Sequence, residues 1–224
     1  MRLLLIVVAV VAGVLSLVRH FPLSWAGAAL PDGVATLSGT LWDGQVSDVP
    51  LLGSVSVDTT LGGVRLATPP GDVTFSGTVT PGSAKDLVLS MPVARLPMND
   101  ARLAELSGRV SLRIEEASFG DGQCESATGT ASSDVLSANG GRFGWTGPVL
   151  SGPVDCQDGR LRVRLSGEDA EQTVQATVIT GFDGVYQSEI DVETSDPSAG
   201  NALVLFGFNP DSEGYSLSEQ GRWR

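Results

Sequence analysis

Period-two alternation between apolar and polar residues constrains the fold of this chain more than any other feature. From Arg160 to Leu165, three apolar side chains alternate with three arginines, which places Leu161, Val163 and Leu165 on one face. Such alternation is typical of a half-buried strand in an antiparallel sheet. The same pattern after Pro31 predicts further strands at 33–40, 54–57, 73–79, 87–92, 107–114, 173–179 and 185–192.

Turn residues separate these strands, and helical segments are scarce. Asp-Gly pairs, which favour tight turns, occur at 32–33, 43–44, 121–122, 158–159 and 183–184. A short helix is predicted at 100–106 with Asn99 as its cap, and a second at 198–206 before Gly207. Neither is long enough to support a series of βαβ crossovers, so the pattern excludes a parallel sheet and predicts an all-β domain.

An apolar-Ser-Gly pattern recurs in several of the predicted strands. It stands at 37–39, 75–77, 106–108 and 165–167, at spacings too irregular for a strict repeat. Glycine inside a strand often marks a bulge or a curved backbone. We therefore expect a long, curved, mostly antiparallel β-sheet with one or two short helices.

The N-terminus carries an apolar run from Leu3 to Val18 that points to a membrane. One interpretation is a cleaved signal peptide, for which 26–28 (Ala-Gly-Ala) supplies a small-residue cleavage site, unusually far from the run. The other is a single transmembrane helix with Trp25 at the interface. We favour the anchor, which divides the chain into a membrane anchor and flank at 1–26 and a β-rich domain at 27–224.

The charge of the chain limits its partners and its chemistry. Its net charge is −12 at pH 7, whereas nucleic-acid binding needs clustered Lys and Arg, so we expect no nucleic-acid partner. His20 is the only histidine and lies beside the apolar run, which leaves most metal and proton-relay chemistry without its usual residue. We predict no cofactor and no metal ion.

Two cysteines, Cys124 and Cys156, fall in the part of the chain beyond the membrane segment. An isolated pair in an exported region favours a disulfide bond, the alternative being two buried free thiols. Because the chain contains no Cys-x-x-Cys motif, we do not expect a redox site.

Motifs for catalysis are mostly absent. The chain has neither a Gly-x-Ser-x-Gly elbow nor a phosphate-binding loop. Carboxylates cluster at 115–116, 168–171 and 211–213, and paired carboxylates can hydrolyse glycosides when they face each other across a cleft. These clusters lie at predicted strand ends and turns, where solvated charge explains them, so we expect no enzymatic activity.

Three short motifs remain, one near each end of the β-rich region and one around the second cysteine. In order along the chain they contain Gly39, Leu41, Trp42 and Gly44; Gly152, Pro153 and Gly159; and Gly214 and Tyr215. We predict Trp42 to be a core residue at a hairpin. With the anchor and the cysteine pair, these motifs resemble the type II secretion system protein N (GspN) family over nearly the whole chain.

The resemblance implies a non-enzymatic, single-pass inner-membrane protein with a cytoplasmic N-terminus and a periplasmic β domain. Its role would be in the export of folded proteins across the outer membrane, with other inner-membrane and periplasmic secretion proteins as partners. Open sheet edges could receive a partner strand.

An alternative function is a periplasmic lipid- or lipoprotein-binding or transfer protein with an AsmA-like curved sheet. An open apolar groove on the concave face would favour this carrier, whereas a face filled with side chains would favour a scaffold.

Overall fold

A computed structural model describes residues 36–40, 42–49, 52–60, 62–96, 105–143, 147–212 and 214–222. The strands are β1 (Thr36–Gly39), β2 (Gly44–Val49), β3 (Gly53–Thr60), β4 (Gly63–Ala67), β5 (Thr74–Thr80), β6 (Ser83–Pro92), β7 (Arg109–Gly120), β8 (Gln123–Ser133), β9 (Leu150–Gln157), β10 (Arg160–Glu168), β11 (Gln172–Thr180), β12 (Val185–Thr194), β13 (Asn209–Pro210) and β14 (Tyr215–Arg222). The helices are α1 (Val135–Ala138), α2 (Gly140–Phe143) and α3 (Pro197–Leu205), with a 3₁₀ turn at Val93–Arg95.

The strands form one open sheet of 14 strands. From β1 to β12 each strand pairs with the next one along the chain, and β14 then pairs with β12 and carries the short strand β13 on its outer side. Every pair is antiparallel. The predicted all-β, antiparallel fold is therefore confirmed.

One face of the sheet is apolar and the other is polar. Ile114 lies opposite Leu87 on one side and Gly129 on the other, and the same row continues through Val154 and Val163. Because successive side chains of a strand point to opposite faces, the residues between them form a polar surface. Its members include Lys85, Arg113, Thr130, Asp155, Arg162, Arg164, Glu189 and Asp191.

Buried side chains gather in two clusters on the apolar face. The first spans β7 to β9 and consists of Ile114, Ala117, Ala131 and Val154. The second lies where α3 packs on the sheet and consists of Leu150, Val174, Val192, Ala199 and Leu203. Burial of such side chains stabilises the fold by roughly 25 cal/mol per Å² of apolar surface removed from water.

The sheet bends sharply at β9. Cα atoms of β8 and β10 come within 8 Å of each other although β9 lies between them. In a flat sheet, strands two apart are separated by about 9.6 Å, twice the usual strand spacing. A Cβ atom at Gly152 in β9 would collide with the carbonyl oxygen of Arg164 in β10. Glycine therefore permits the close backbone approach that the bend requires.

The pairing of β5 with β6 is irregular beside Gly77. The register between β5 and β6 shifts between Ser76 and Thr78, the two neighbours of Gly77 in the apolar-Ser-Gly pattern. A Cβ atom at Gly77 would collide with the side chain of Leu87 on the neighbouring strand. The extra residue is in β6, where Asp86 and Leu87 together face Gly77, so the predicted bulge lies opposite the glycine and not at it.

The helix predicted at 198–206 is confirmed as α3. Its N-cap is Asp196, whose Oδ1 atom accepts a hydrogen bond from the backbone N–H of Ser198 at 2.8 Å. The helix predicted at 100–106 lies almost entirely outside the described residues. The structure adds α1 and α2, which are too short to produce a helical period in the sequence.

β8 was not predicted because small residues form its apolar face. In β8 that face is formed by Ala127, Gly129 and Ala131, which do not stand out against the serines and threonines between them. The strands β2, β4, β9, β13 and β14 were also missed.

Within the described ranges, no helix has the length and hydropathy needed to cross a membrane. The predicted anchor at Leu3–Val18, with Trp25, lies outside those ranges.

Candidate interaction surface

Each carboxylate cluster that the sequence offers as a catalytic candidate has a member with a structural partner, in the third case Asp211, which accepts a hydrogen bond from the backbone N–H of Gly214 at 2.8 Å. Glu116 forms an ion pair with Lys85 at 2.9 Å. Asp169 accepts hydrogen bonds from the backbone N–H of Glu171 at 2.9 Å and the side chain of Gln172 at 2.7 Å, and these bonds lower the pKa of its carboxyl. Among the residues that the structure describes, no group of three or more His, Cys, Asp or Glu could hold a metal ion.

The predicted disulfide is confirmed. Cys124 of β8 and Cys156 of β9 are bonded, with their Cα atoms 5.6 Å apart. Beside the bond, the backbone N–H of Cys124 donates to the carbonyl oxygen of Gly159 at 2.8 Å. Gly159 has φ +76°, which suits glycine in the tight turn between β9 and β10. The disulfide therefore joins two neighbouring strands close to a turn.

An arginine–aspartate network lies on the polar face of the same strands. Arg162 holds Asp155 through two hydrogen bonds, Nε to Oδ1 at 2.7 Å and Nη2 to Oδ2 at 2.8 Å. Arg164 adds a bond to Oδ2 at 2.9 Å, and Arg162 also donates to Gln157 at 2.6 Å. The hydrogen bond from Arg162 is the main cause of a lowered pKa at Asp155. The network ties β9 to β10.

The first sequence motif forms the turn between β1 and β2. Gly39 has φ +84°, and a Cβ atom there would lie 2.5 Å from the carbonyl oxygen of Asp43. The backbone N–H of Thr40 donates to that oxygen at 2.9 Å, and Gly44 is buried. Trp42, which we predicted as a core residue, is half-buried beside this turn, and Leu41 lies outside the described residues.

The other two motifs are separated along the sheet. Gly152 and Pro153 stand in β9, where Pro153 lies opposite Thr130 on the polar face. Gly214 approaches the carbonyl oxygen of Val192 so closely that a Cβ atom would collide with it. Tyr215 packs against the second core cluster. The structure therefore does not bring the three motifs together into one site.

The outer edge of β14 is open over most of its length. β13 pairs only with Tyr215 and Ser216. Within the described part of the chain, no strand pairs with this edge from Leu217 to Arg222. An open edge presents unpaired backbone N–H and C=O groups, which can bind another strand. The sequence predicted open edges in general terms, but it did not predict β14.

A row of carboxylates lies next to this edge on the polar face. Glu189, Asp191 and Glu193 follow one another at every second position of β12 and are all exposed. Glu189 lies opposite Ser218 and Asp191 opposite Ser216 on β14. A shallow depression of about 340 Å³ between β11, β12 and β14 is lined by residues of this polar surface, Glu189 among them. The edge is therefore bordered by negative charge.

The apolar face is only partly covered. The exposed large hydrophobic side chains of the described residues lie off this face: Val88, Val149, Phe182, Val204 and Leu205. Along β4 to β6, however, apolar-face side chains such as Leu66, Phe75 and Leu87 are half-buried. Among the described elements, the extensive contacts of β1 to β6 are those with adjacent strands. Of the elements that the structure describes, none forms a second layer on this end of the sheet, although Val55 and Val57 of β3 are buried.

These observations define the class of protein: an open antiparallel sheet with one helix packed on its C-terminal part and a free edge bordered by acidic residues. A family model described as type II secretion system (T2SS), protein N, matches residues 33–218. The chain belongs to this family, and it is a component of the type II secretion system. Comparison with curated proteins and with solved structures gives no match. The resemblance inferred from the motifs is thus confirmed.

Proposed function

We propose that the protein is a non-enzymatic scaffold in the periplasm that takes part in the export of folded proteins across the outer membrane. The observation that carries this proposal is the family match, which spans almost all of the predicted β domain at 27–224. Two observations support a binding role. Carboxylates of the candidate catalytic clusters are engaged in an ion pair and a turn, and the edge of β14 is open.

We further propose that residues 1–26 anchor the chain in the inner membrane, with the N-terminus cytoplasmic. The apolar run Leu3–Val18 and the interfacial Trp25 support a single membrane span. The bond between Cys124 and Cys156 supports an oxidising compartment for the β domain. Its partners are other inner-membrane and periplasmic proteins of the secretion system.

A complementation experiment tests both parts of this function. Deletion of the gene is expected to leave exported proteins in the periplasm, and the full chain is expected to restore their release into the medium. A second version replaces residues 1–26 with a cleavable signal peptide and is expected to restore secretion poorly. Normal secretion after deletion would contradict the role in export. Full rescue by the untethered version would contradict only the anchor.

A second candidate function, lipid or lipoprotein binding, is favoured by the half-buried apolar side chains Leu66, Phe75 and Leu87 of β4 to β6. Incompletely covered apolar surface is a common feature of ligand-binding faces. Organic extraction of the purified protein followed by mass spectrometry separates the two functions. Stoichiometric phospholipid or acyl chain would support the carrier. A lipid-free protein that still restores secretion would support the scaffold.

A further inference from the structure

The hydrogen-bonding direction of β14 follows from its hairpin with β13. The backbone N–H of Asp211 donates to the carbonyl oxygen of Gly214 at 2.9 Å, so the polar groups of Gly214 face β13. Alternate residues of an antiparallel strand face the same neighbour. Ser218, Gln220 and Arg222 therefore direct their N–H and C=O groups away from β12, beyond the point where β13 ends.

This edge has one of the features that protect sheet edges from pairing and lacks the others. Natural edges are blocked by lysine, proline, a β-bulge or a charged side chain on the inward face. Glu219, opposite Ser188 on the same face as Leu217, is such a charge. From Leu217 to Arg222 there is no lysine and no proline, and the register with β12 is unbroken from Val185 to Val192. The one proline nearby, Pro210, lies in β13. The edge is thus regular and accessible to an added strand.

The two faces beside the edge specify the side chains of such a strand. On the apolar face, Leu217 lies opposite Ile190, and both are half-buried. On the polar face, the carboxylate row of β12 would lie about 10 Å from an added strand, two strand spacings away. Long basic side chains on that strand can extend toward these carboxylates, whereas acidic ones would be repelled. The complementary segment alternates apolar residues with Lys or Arg.

A second copy of this chain is a poor match for the same edge. An edge-to-edge dimer with two-fold symmetry keeps the polar faces of both sheets on one side. In such a dimer, the carboxylate row of Glu189, Asp191 and Glu193 would lie on the same surface as the identical row of the second copy, and the two rows would repel each other. The net charge of −12 adds to this repulsion. The charge pattern favours a different, basic partner.

We propose that the outer edge of β14 binds an extended segment of a partner protein in which apolar residues alternate with Lys or Arg, and adds it to the sheet as a further strand. The proposed segment identifies the class of partner that the scaffold binds, and its role in secretion rests on the proposed function. The interaction itself is measurable on the purified protein, without secretion.

The test uses a labelled synthetic peptide of alternating valine and lysine with the full-length protein in detergent, and measures binding by fluorescence anisotropy. Ser218→Pro and Gln220→Pro each remove an outward N–H without breaking the ladder to β12. Each is expected to weaken binding by about tenfold or more. Ser218→Ala and Gln220→Ala keep the N–H and are the matched controls, with unchanged binding. A valine–glutamate peptide is expected not to bind.

Hydrogen exchange on the wild-type protein gives a second measurement that needs no variant. The amides of Ser218 and Gln220 are expected to exchange more slowly when the valine–lysine peptide is bound. Equal binding by the proline variants, or no protection of these amides, would overturn the proposal. So would a β14-dependent dimer in sedimentation velocity without peptide binding, because it would make a second copy the occupant. If deletion of the gene impairs secretion but the purified protein does not bind the peptide, the proposed binding at the β14 edge is rejected and the proposed function is retained.

Discussion

Gly152 shows how a single absent Cβ atom determines the geometry of the sheet. Its position faces the carbonyl oxygen of Arg164 at a distance that no side chain tolerates. Gly152→Ala is therefore expected to push β9 and β10 apart and to lower the free energy of unfolding by about 1–3 kcal/mol, the usual cost of overpacking. Urea denaturation followed by circular dichroism measures this change.

Gly141→Ala is the matched control for that substitution. Gly141 lies in α2, has no neighbouring atom within 4 Å of a built Cβ and does not have a left-handed φ. Alanine favours helix over glycine, so the free energy of unfolding should stay the same or rise slightly. Equal destabilisation by both variants would show that the bend at β9 does not depend on Gly152.

Asp155 gives the polar face a measurable pH dependence. Its pKa is lowered chiefly by the hydrogen bond from Arg162, so its stabilisation is present above the ordinary aspartate pKa of about 3.9 and is lost as the pH falls through the lowered value. Asp155→Asn is expected to cost about 1–2 kcal/mol at pH 7, since two arginines lose their partner. Thermal unfolding between pH 7 and pH 2 checks the prediction.

In that series, the difference between Asp155→Asn and wild type should shrink as the pH approaches 2. Asp191→Asn is the control, because it removes an equal charge from an exposed position of the same face. It is expected to have little effect on stability or to raise it slightly by reducing repulsion within the carboxylate row. A constant difference at every pH would show that Asp155 acts through packing rather than through its charge.

Among the elements, the β8–β9 pair depends most on a covalent link. The bond closes a loop between cysteines 32 positions apart. In the chain-entropy model it stabilises the native state by roughly 3–4 kcal/mol, less any strain. Replacing both Cys124 and Cys156 with alanine is expected to lower the urea midpoint accordingly. Dithiothreitol should lower the midpoint of wild type but not that of the double variant, and an unchanged wild type would contradict the prediction.

The size of the side chains on the apolar face explains why some strands were predicted and β8 was not. β10 and β11 were recognised because Leu161, Val163 and Val178 alternate with polar residues. β8 was missed because alanine and glycine occupy the same positions there. At Gly129 the missing side chain leaves room for the carbonyl oxygen of Arg113 on β7, so the same small residue that weakens the pattern permits close pairing of two strands.

At the scale of the molecule, the sequence predicted the fold class, the disulfide and the family, but not the candidate interaction edge. The identity of the last strand in the sheet depends on pairing between segments that are distant in the sequence. β14 lies between β12 and β13, so its inner neighbour is β12 and not the strand that precedes it in the chain. The period-two pattern identifies a strand and its apolar face, but it contains no information about the neighbour. The alternating carboxylates of β12 can be read in the sequence, but the sequence does not show that they lie beside an open edge.

The nearly sequential strand order also determines how the protein can be made. From β1 to β12, every strand finds its partner in the segment synthesised just before it. Pairing between close segments closes only short loops, which favours rapid folding. A chain that emerges N-terminus first can therefore add each strand to the sheet before the C-terminal strands have been synthesised. Helix α3 and β14 are the last to arrive, and their addition to β12 completes the second core cluster.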